Sequence, residues 1–202
     1  MEPAIAHAYA VEAVRCFVQK GWLFDWKLPT KVKLIHPDGP EYFHQTGVVF
    51  IDVFGHEWAG AEQYIRLCVL FPQQRMPMHH HKLRQETFTV LRGTVILLTE
   101  DVCGPRRTQI YPGEKMAPKI GELHGVETGL MGGAYVGVCH KDHLTDVYWK
   151  DEAGMSDKRM TTVDLVGIPH LPCAAQADFD AQGSLFFVRW ESLIPDLARI
   201  EQ

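Results

Sequence analysis

His79, His80 and His81 stand together in the middle of a 202-residue chain, with Glu86 five residues beyond the last of them and Gly93 closing the run HHHKLRQETFTVLRG. A looser cluster follows, made of Pro112-Gly113, Pro118, Gly121 and His124. Two imidazoles, a carboxylate and a third, distant imidazole form a donor set suited to a borderline divalent metal. Strand spacing fits them better than helix spacing. Alternate residues of a strand share a face, so His79 and His81 point one way and His80 the other. In the next strand Arg84, Glu86, Phe88 and Val90 share a face, which sets a carboxylate at the mouth of an otherwise apolar row. A bound cation would offset the cost of burying it.

These residues need strands to carry them. From Lys31 onward the chain reads as short β-rich segments: Lys31–His36, Val48–Phe54, Gln63–Phe71, Glu86–Leu91, Thr94–Glu100, Arg106–Tyr111, Lys115–Ala117, Gly125–Thr128 and Ala134–Cys139. Breaks fall at turn residues, including Arg92-Gly93, Gly104-Pro105 and Gly132-Gly133. Many short strands without alternating helices indicate an all-β sandwich or barrel. Ahead of them Ile5, Ala8, Val11, Val14 and Val18 recur at helical spacing and predict a helix over Ala4–Lys20. Residues 151–182 read as an irregular excursion, Ser184–Arg189 as one more strand, and Trp190–Ile200 as a short C-terminal helix. One domain over 1–202 is expected: a helix and arm (1–30), a barrel (31–149) and a C-terminal extension (150–202).

Composition removes several classes of function. A formal net charge of -5 and a pI near 6.1 argue against nucleic-acid or anionic-membrane partners. No apolar run is long enough for a membrane helix, and Glu2, His7, Glu12 and Arg15 interrupt any signal-peptide pattern. Five scattered cysteines, never paired as C-x-x-C, predict reduced thiols and a cytoplasmic protein. The chain carries no G-x-S-x-G, phosphate loop or dinucleotide fingerprint.

The histidine run resembles the first motif of the cupin superfamily, G-x5-H-x-H-x(3,4)-E-x6-G, at every position except the leading glycine. Gly113, Pro118, Gly121 and His124 resemble the second motif with shifted spacing, and Thr128 stands where that motif often has Asn. The resemblance spans about Arg66 to Cys139. It implies an all-β cupin double-stranded β-helix (jelly-roll) barrel that binds Mn, Fe, Zn, Ni or Co inside.

Within that superfamily, Pro77 to His81 and Arg84 to Phe88 look like the cupin-type D-lyxose isomerases. By that resemblance His79, His81, Glu86 and His124 hold the metal, with Mn preferred, on the carbonyl and neighbouring hydroxyl of an open-chain sugar. A base then moves a proton between adjacent carbons through an enediolate. Those isomerases place a lysine where this chain has Arg84, which can clamp an oxyanion but keeps its proton. They also carry a glutamate on the last barrel strand, near Gly137 and Val138 here. The resemblance thus leaves Glu86, Arg84, His140 and Asp142 as the catalytic candidates, with Lys82 and Arg84 as substrate-binding residues. The leading expectation is a metal-dependent aldose–ketose isomerase, with an Fe-dependent cupin dioxygenase and a non-catalytic sugar-binding cupin as rivals. By the same analogy a homodimer is expected.

Overall fold

Among the described residues ten strands follow an N-terminal α-helix, and their inward positions follow from alternation along each strand. The structure, a computed structural model, describes residues 1–19, 31–54, 63–140, 146–150 and 160–164. Helix α1 (Pro3–Gln19) precedes β1 (Lys31–Ile35), β2 (Val48–Phe54), β3 (Gln63–Leu70), β4 (Arg75–His80), β5 (Gln85–Asp101), β6 (Gly104–Ile110), β7 (Lys115–Met116), β8 (Leu123–His140), β9 (Tyr148–Trp149) and β10 (Met160–Asp164). The sheet runs β10-β1-β2-β3-β8-β4-β9, and β5 adds β6 and β7 through its pairing with β8. The ladders between these strands are antiparallel.

Two long strands organise the barrel. β5 pairs with β8 from Gln85↔His140 to Glu100↔Leu123, with register shifts around Val90 to Val95. Beyond those shifts β8 changes its second neighbour: Gly133 to His140 pair with β3, whereas His124 to Glu127 pair with β4. The glycines expected to end strands therefore bend them instead. Gly93 (φ 70°) and Gly132 (φ 63°) take left-handed backbone conformations where the two strands cross. β4 carries His79 and His80 on a strand, as their alternation implied, although Pro77 keeps the stretch from reading as a β-rich segment. β10 lies within the segment expected to be irregular, paired along β1 from Lys31↔Asp164 to Ile35↔Met160.

Two apolar layers result. Outside the β1-β2-β3 sheet, Val32, Leu34, Val49, Ile51, Leu67 and Val69 pack against the helix. The helix buries Ala6, Tyr9, Ala10, Ala13 and Val14; of the expected line Val14 is buried, and Ile5, Ala8 and Val11 pack partly buried against the same cluster. Ala10 and Ala13 let the backbone approach closely, and Tyr9 meets Phe43 edge-on at 4.5 Å. The opposite face of the same strands, with Val90, Val95, Val126 and Tyr135, fills the barrel interior. Buried Gln74 ties the turn before β4: its Oε1 accepts from the Phe71 amide (2.8 Å) and its Nε2 donates to the Phe43 carbonyl. Thr128 Oγ1 donates to the Phe71 carbonyl at 2.8 Å. The expected C-terminal strand and helix lie outside the described residues.

A Cβ placed on Gly93 would collide with the Gly132 carbonyl oxygen. Gly93→Ala should therefore cost about 2 kcal/mol or more, from the left-handed backbone and the forced separation of β5 from β8. Urea unfolding followed by circular dichroism checks it; an unchanged midpoint would show that the crossing is not tightly packed.

Candidate metal centre

His79, His81, Glu86 and His124 converge at one end of the barrel interior. Each offers a ligand atom, these atoms lie within 4.8 Å of one another, and all four residues are buried. The placement follows from pairing. His79 on β4 faces His124 on β8 in register. Glu86 is the first inward residue of β5, in the buried row it shares with Phe88 and Val90. His81 follows β4 at the start of the turn that leads into β5.

Backbone carbonyls set the imidazoles. Nδ1 of His79 lies 2.8 Å from the Pro77 carbonyl, Nδ1 of His124 lies 2.9 Å from that of Glu122, and Nδ1 of His81 bonds that of Asp146. A carbonyl only accepts, so each ring carries its proton on Nδ1 and turns an Nε2 lone pair inward. Glu86 Oε2 then faces Nε2 of His81 at 3.3 Å and of His124 at 3.4 Å. His124 Nε2 is buried without a hydrogen-bond partner. Lone pairs gathered in an apolar interior repel one another unless a cation joins them. This donor set fits a divalent metal.

Arg84 supplies part of the positive charge. Its Nε lies 2.9 Å from Glu86 Oε1, and its Nη2 donates to His81 Nε2 at 2.8 Å. Burial alone would raise the Glu86 carboxyl, but the Arg84 guanidinium overrides it and holds the pKa well below the usual carboxylate range. Burial, then the neighbouring His124 and His81, push His79 well below an ordinary histidine. Cys139 Sγ adds a weak donor 3.6 Å from Glu86 Oε1.

Asp146 holds this corner together. Its carboxylate accepts from the backbone amides of Lys82 (2.9 Å), Leu83 (2.9 Å) and Arg84 (2.8 Å), while its carbonyl sets the His81 ring. The sequence gives no sign of this role for Asp146. Its spacing from His81 carries no local signal, because the contact spans 65 residues.

The cavity beside the ligands is lined by His79, Arg84, Glu86 and His124 together with Lys33 and Arg66, which sequence reasoning did not single out for this site. Apolar walls come from residues such as Phe50, Phe88, Met76 and Val126. Two expected site residues are not brought in. Lys82 is exposed, with its ammonium 4.1 Å from the Tyr148 ring centroid. His140 is exposed too: its neighbour Cys139 takes the inward position, and alternation turns His140 outward. Asp142 lies outside the described residues. His80 points away from the site, as expected, and stacks on Tyr148.

Neither a family model nor a curated protein matches the chain. Solved structures do. L-ribose isomerase from Acinetobacter sp. DL28, in complex with L-ribose, aligns with a TM-score of 0.54 at 11% identity, over 67% of this chain and 80% of that one. An RmlC-like cupin from Desulfovibrio desulfuricans aligns over 46% of this chain and 81% of its own at 18% identity, with a TM-score of 0.39. The DMSP lyase DddQ from Ruegeria pomeroyi DSS-3 aligns over 54% of each chain at 19% identity, with a TM-score of 0.44. The fold is the cupin double-stranded β-helix expected from the motifs, and its interior carries a group of three histidines and one carboxylate able to bind a divalent metal. Among the described residues no helix is long and apolar enough to cross a membrane.

Two substitutions should move metal affinity in opposite directions. Asp146→Ala frees the His81 ring and the turn behind it, and should weaken binding about 10- to 100-fold. Arg84→Met removes a cation that shares the His81 lone pair, and should tighten it. Competition with a chromophoric chelator reads both; equal affinities in all three proteins would remove these roles.

Acid should destabilise the metal-free chain in two stages. Below the ordinary histidine value of 6.5 the unfolded chain takes up a proton that buried His79 resists. Below the ordinary glutamate value of 4.5 the unfolded carboxyl does the same while folded Glu86 stays ionised. In each window the unfolded state binds more protons, so stability falls as pH falls. Urea midpoints across this range test it, and His79→Gln should flatten the first stage.

Proposed function

We propose that this chain is a metal-dependent enzyme acting on a small polar substrate, and that its reaction is an aldose–ketose isomerisation. The observation that carries the reading is the convergence of four buried ligand atoms with a guanidinium at the edge of a cavity. His79, His81, Glu86 and His124 would hold the ion, with Mn preferred and Zn, Fe, Co or Ni also suited to the same donor set. A bound divalent ion supplies Lewis acidity, polarising a carbonyl and lowering the cost of removing a proton from the adjacent carbon.

The chain's own residues divide the remaining work. Arg84 keeps its proton throughout, so it acts as a fixed donor for an oxyanion and not as a base. The apolar walls exclude water from the reacting carbons. Asp142, the candidate base drawn from sequence, takes the proton in this scheme; exposed His140 serves as its control. The likeness to an L-ribose isomerase is compatible with this chemistry, although the shared feature is the fold.

One observation favours a second reading, a sugar-binding barrel without catalysis. The cavity-facing position near which the resemblance expects a glutamate is Gly137, which has no side chain to move a proton.

Metal analysis of untagged protein, with assays on pentoses and hexoses in air and under nitrogen, separates the readings. Stoichiometric Mn or Zn with oxygen-independent conversion is the expected result. Iron with substrate-dependent oxygen uptake would replace it with a dioxygenase, and metal without turnover would leave the binding barrel. Within the isomerase reading, Asp142→Ala should lower kcat about 100-fold or more at unchanged metal content, whereas His140→Ala should leave kcat near wild type.

A further inference from the structure

We propose that residues 146–150 form a clasp on the strand that carries the metal ligands, with Trp149 as the positioning residue for His79, so that docking of this segment and metal binding are one linked equilibrium. The inference rests on the metal-centre reading and adds what controls the affinity of that centre.

The contacts run in antiparallel order along the two segments. Lys150 donates its amide to the Met78 carbonyl at 2.9 Å. Trp149 stands in register with His79, and Tyr148 with His80, on which it stacks with ring centroids 5.2 Å apart. Val147 turns into the cavity beside the ligands. Asp146 places its carbonyl on the His81 ring and its carboxylate on the amides of Lys82, Leu83 and Arg84. One short segment thus holds the stretch from Met78 to Arg84, which includes two of the four ligands.

β4 needs this support at its His79 end. On its other side the ladder to β8 breaks register between Met76 and His79, leaving His79↔His124 as the pair beyond the break. β9 is two residues long and, among the described residues, pairs with β4 alone. A short edge strand of this kind opens at a free energy below that of global unfolding. The ligand strand is therefore steadied by a segment whose docking is itself an equilibrium.

Trp149 links that equilibrium to the site. His79 is the middle ring of an inward row across three strands, with centroids 4.5 Å from His124 on one side and 5.1 Å from Trp149 on the other. The Pro77 carbonyl fixes one corner of the imidazole, and the rings on either side fix its plane. Trp149 is buried, yet its indole nitrogen has no hydrogen-bond partner among the described residues. An unpaired buried N–H is a cost, so the ring face is what this residue contributes. Losing that face frees the His79 ring to turn. By linkage, whatever the docked clasp adds to metal affinity, the metal adds to docking of the clasp.

Hydrogen exchange on the full chain, with and without zinc, tests the linkage. Zinc should slow exchange at the amides of Lys82, Leu83, Arg84 and Lys150 about tenfold more than in the remote β1–β2 ladder. Equal slowing in both places overturns the proposal. Competition for zinc with a chromophoric chelator tests Trp149. Trp149→Leu should weaken binding about tenfold, whereas Trp149→Phe, which keeps an aromatic face and removes the unpaired N–H, should stay within about threefold of wild type. Unchanged affinity in Trp149→Leu, or an equal loss in Trp149→Phe, overturns the positioning role. Because Trp149 is buried, Trp149→Leu can disturb folding, and exchange on the unaltered chain then decides. Zinc content is read on the same samples. A chain that takes up no zinc fails the metal-centre reading, whereas a loaded chain without selective protection fails the clasp alone.

Discussion

Four ligand atoms with inward lone pairs are confined within 4.8 Å in the buried interior of a barrel, and much of the surrounding structure answers that repulsion. Bringing such atoms together without compensation is costly in a low-dielectric medium. The chain meets the problem at three levels. Backbone carbonyls of Pro77, Glu122 and Asp146 bond the outer nitrogens and so fix which nitrogen faces inward. Arg84 brings a fixed positive charge against His81 and Glu86. The remaining demand is for a cation that can be shared among several lone pairs at once, which a planar guanidinium at one edge cannot satisfy. His124 Nε2, buried and without a hydrogen-bond partner, marks where that demand is unmet.

The barrel's topology is what allows these residues to meet. His79 and His124 are neighbours because β4 and β8 pair at that end, while Glu86 arrives on β5 beside the other half of β8. One strand therefore serves two walls, and it does so by bending near Gly132 opposite Gly93. Had those glycines ended strands, the two halves would have needed separate connections and the ligand geometry would depend on loops. A bent continuous strand transmits register from one wall to the other, which is a stiffer way to position a site.

Strand parity made the ligands legible. The row Arg84, Glu86, Phe88 and Val90 is buried throughout while the residues between them are partly exposed, and that alternation can be read from residue types alone. Strand continuity was hidden because a glycine that bends a strand and a glycine that ends one look the same locally. β4 was legible at its histidines, whose alternation implied a strand, while Pro77 obscured the stretch ahead of them. The helix stripe was legible in part: Val14 is buried and Ile5, Ala8 and Val11 pack beside it, whereas Ala10 and Ala13 are buried for their small size and a count of large apolar residues passes over them. Lys33, Arg66 and Asp146 were illegible in their site roles for a different reason. A lone charge in a strand usually faces solvent, and only the closed sheet shows that these three turn inward or reach across 60 or more residues of chain.

The placement of charge in the cavity bears on what chemistry the barrel can host. Arg84 is bound to the ligand set itself, so its charge is already committed to Glu86 and His81. Arg66 is stacked on Phe50, further along the interior. Gly137 stands in register with Arg66 on the neighbouring strand and has no side chain. A glutamate at that position would supply a proton-transfer group to the cavity, and glycine supplies none. Any base must therefore enter from outside that strand.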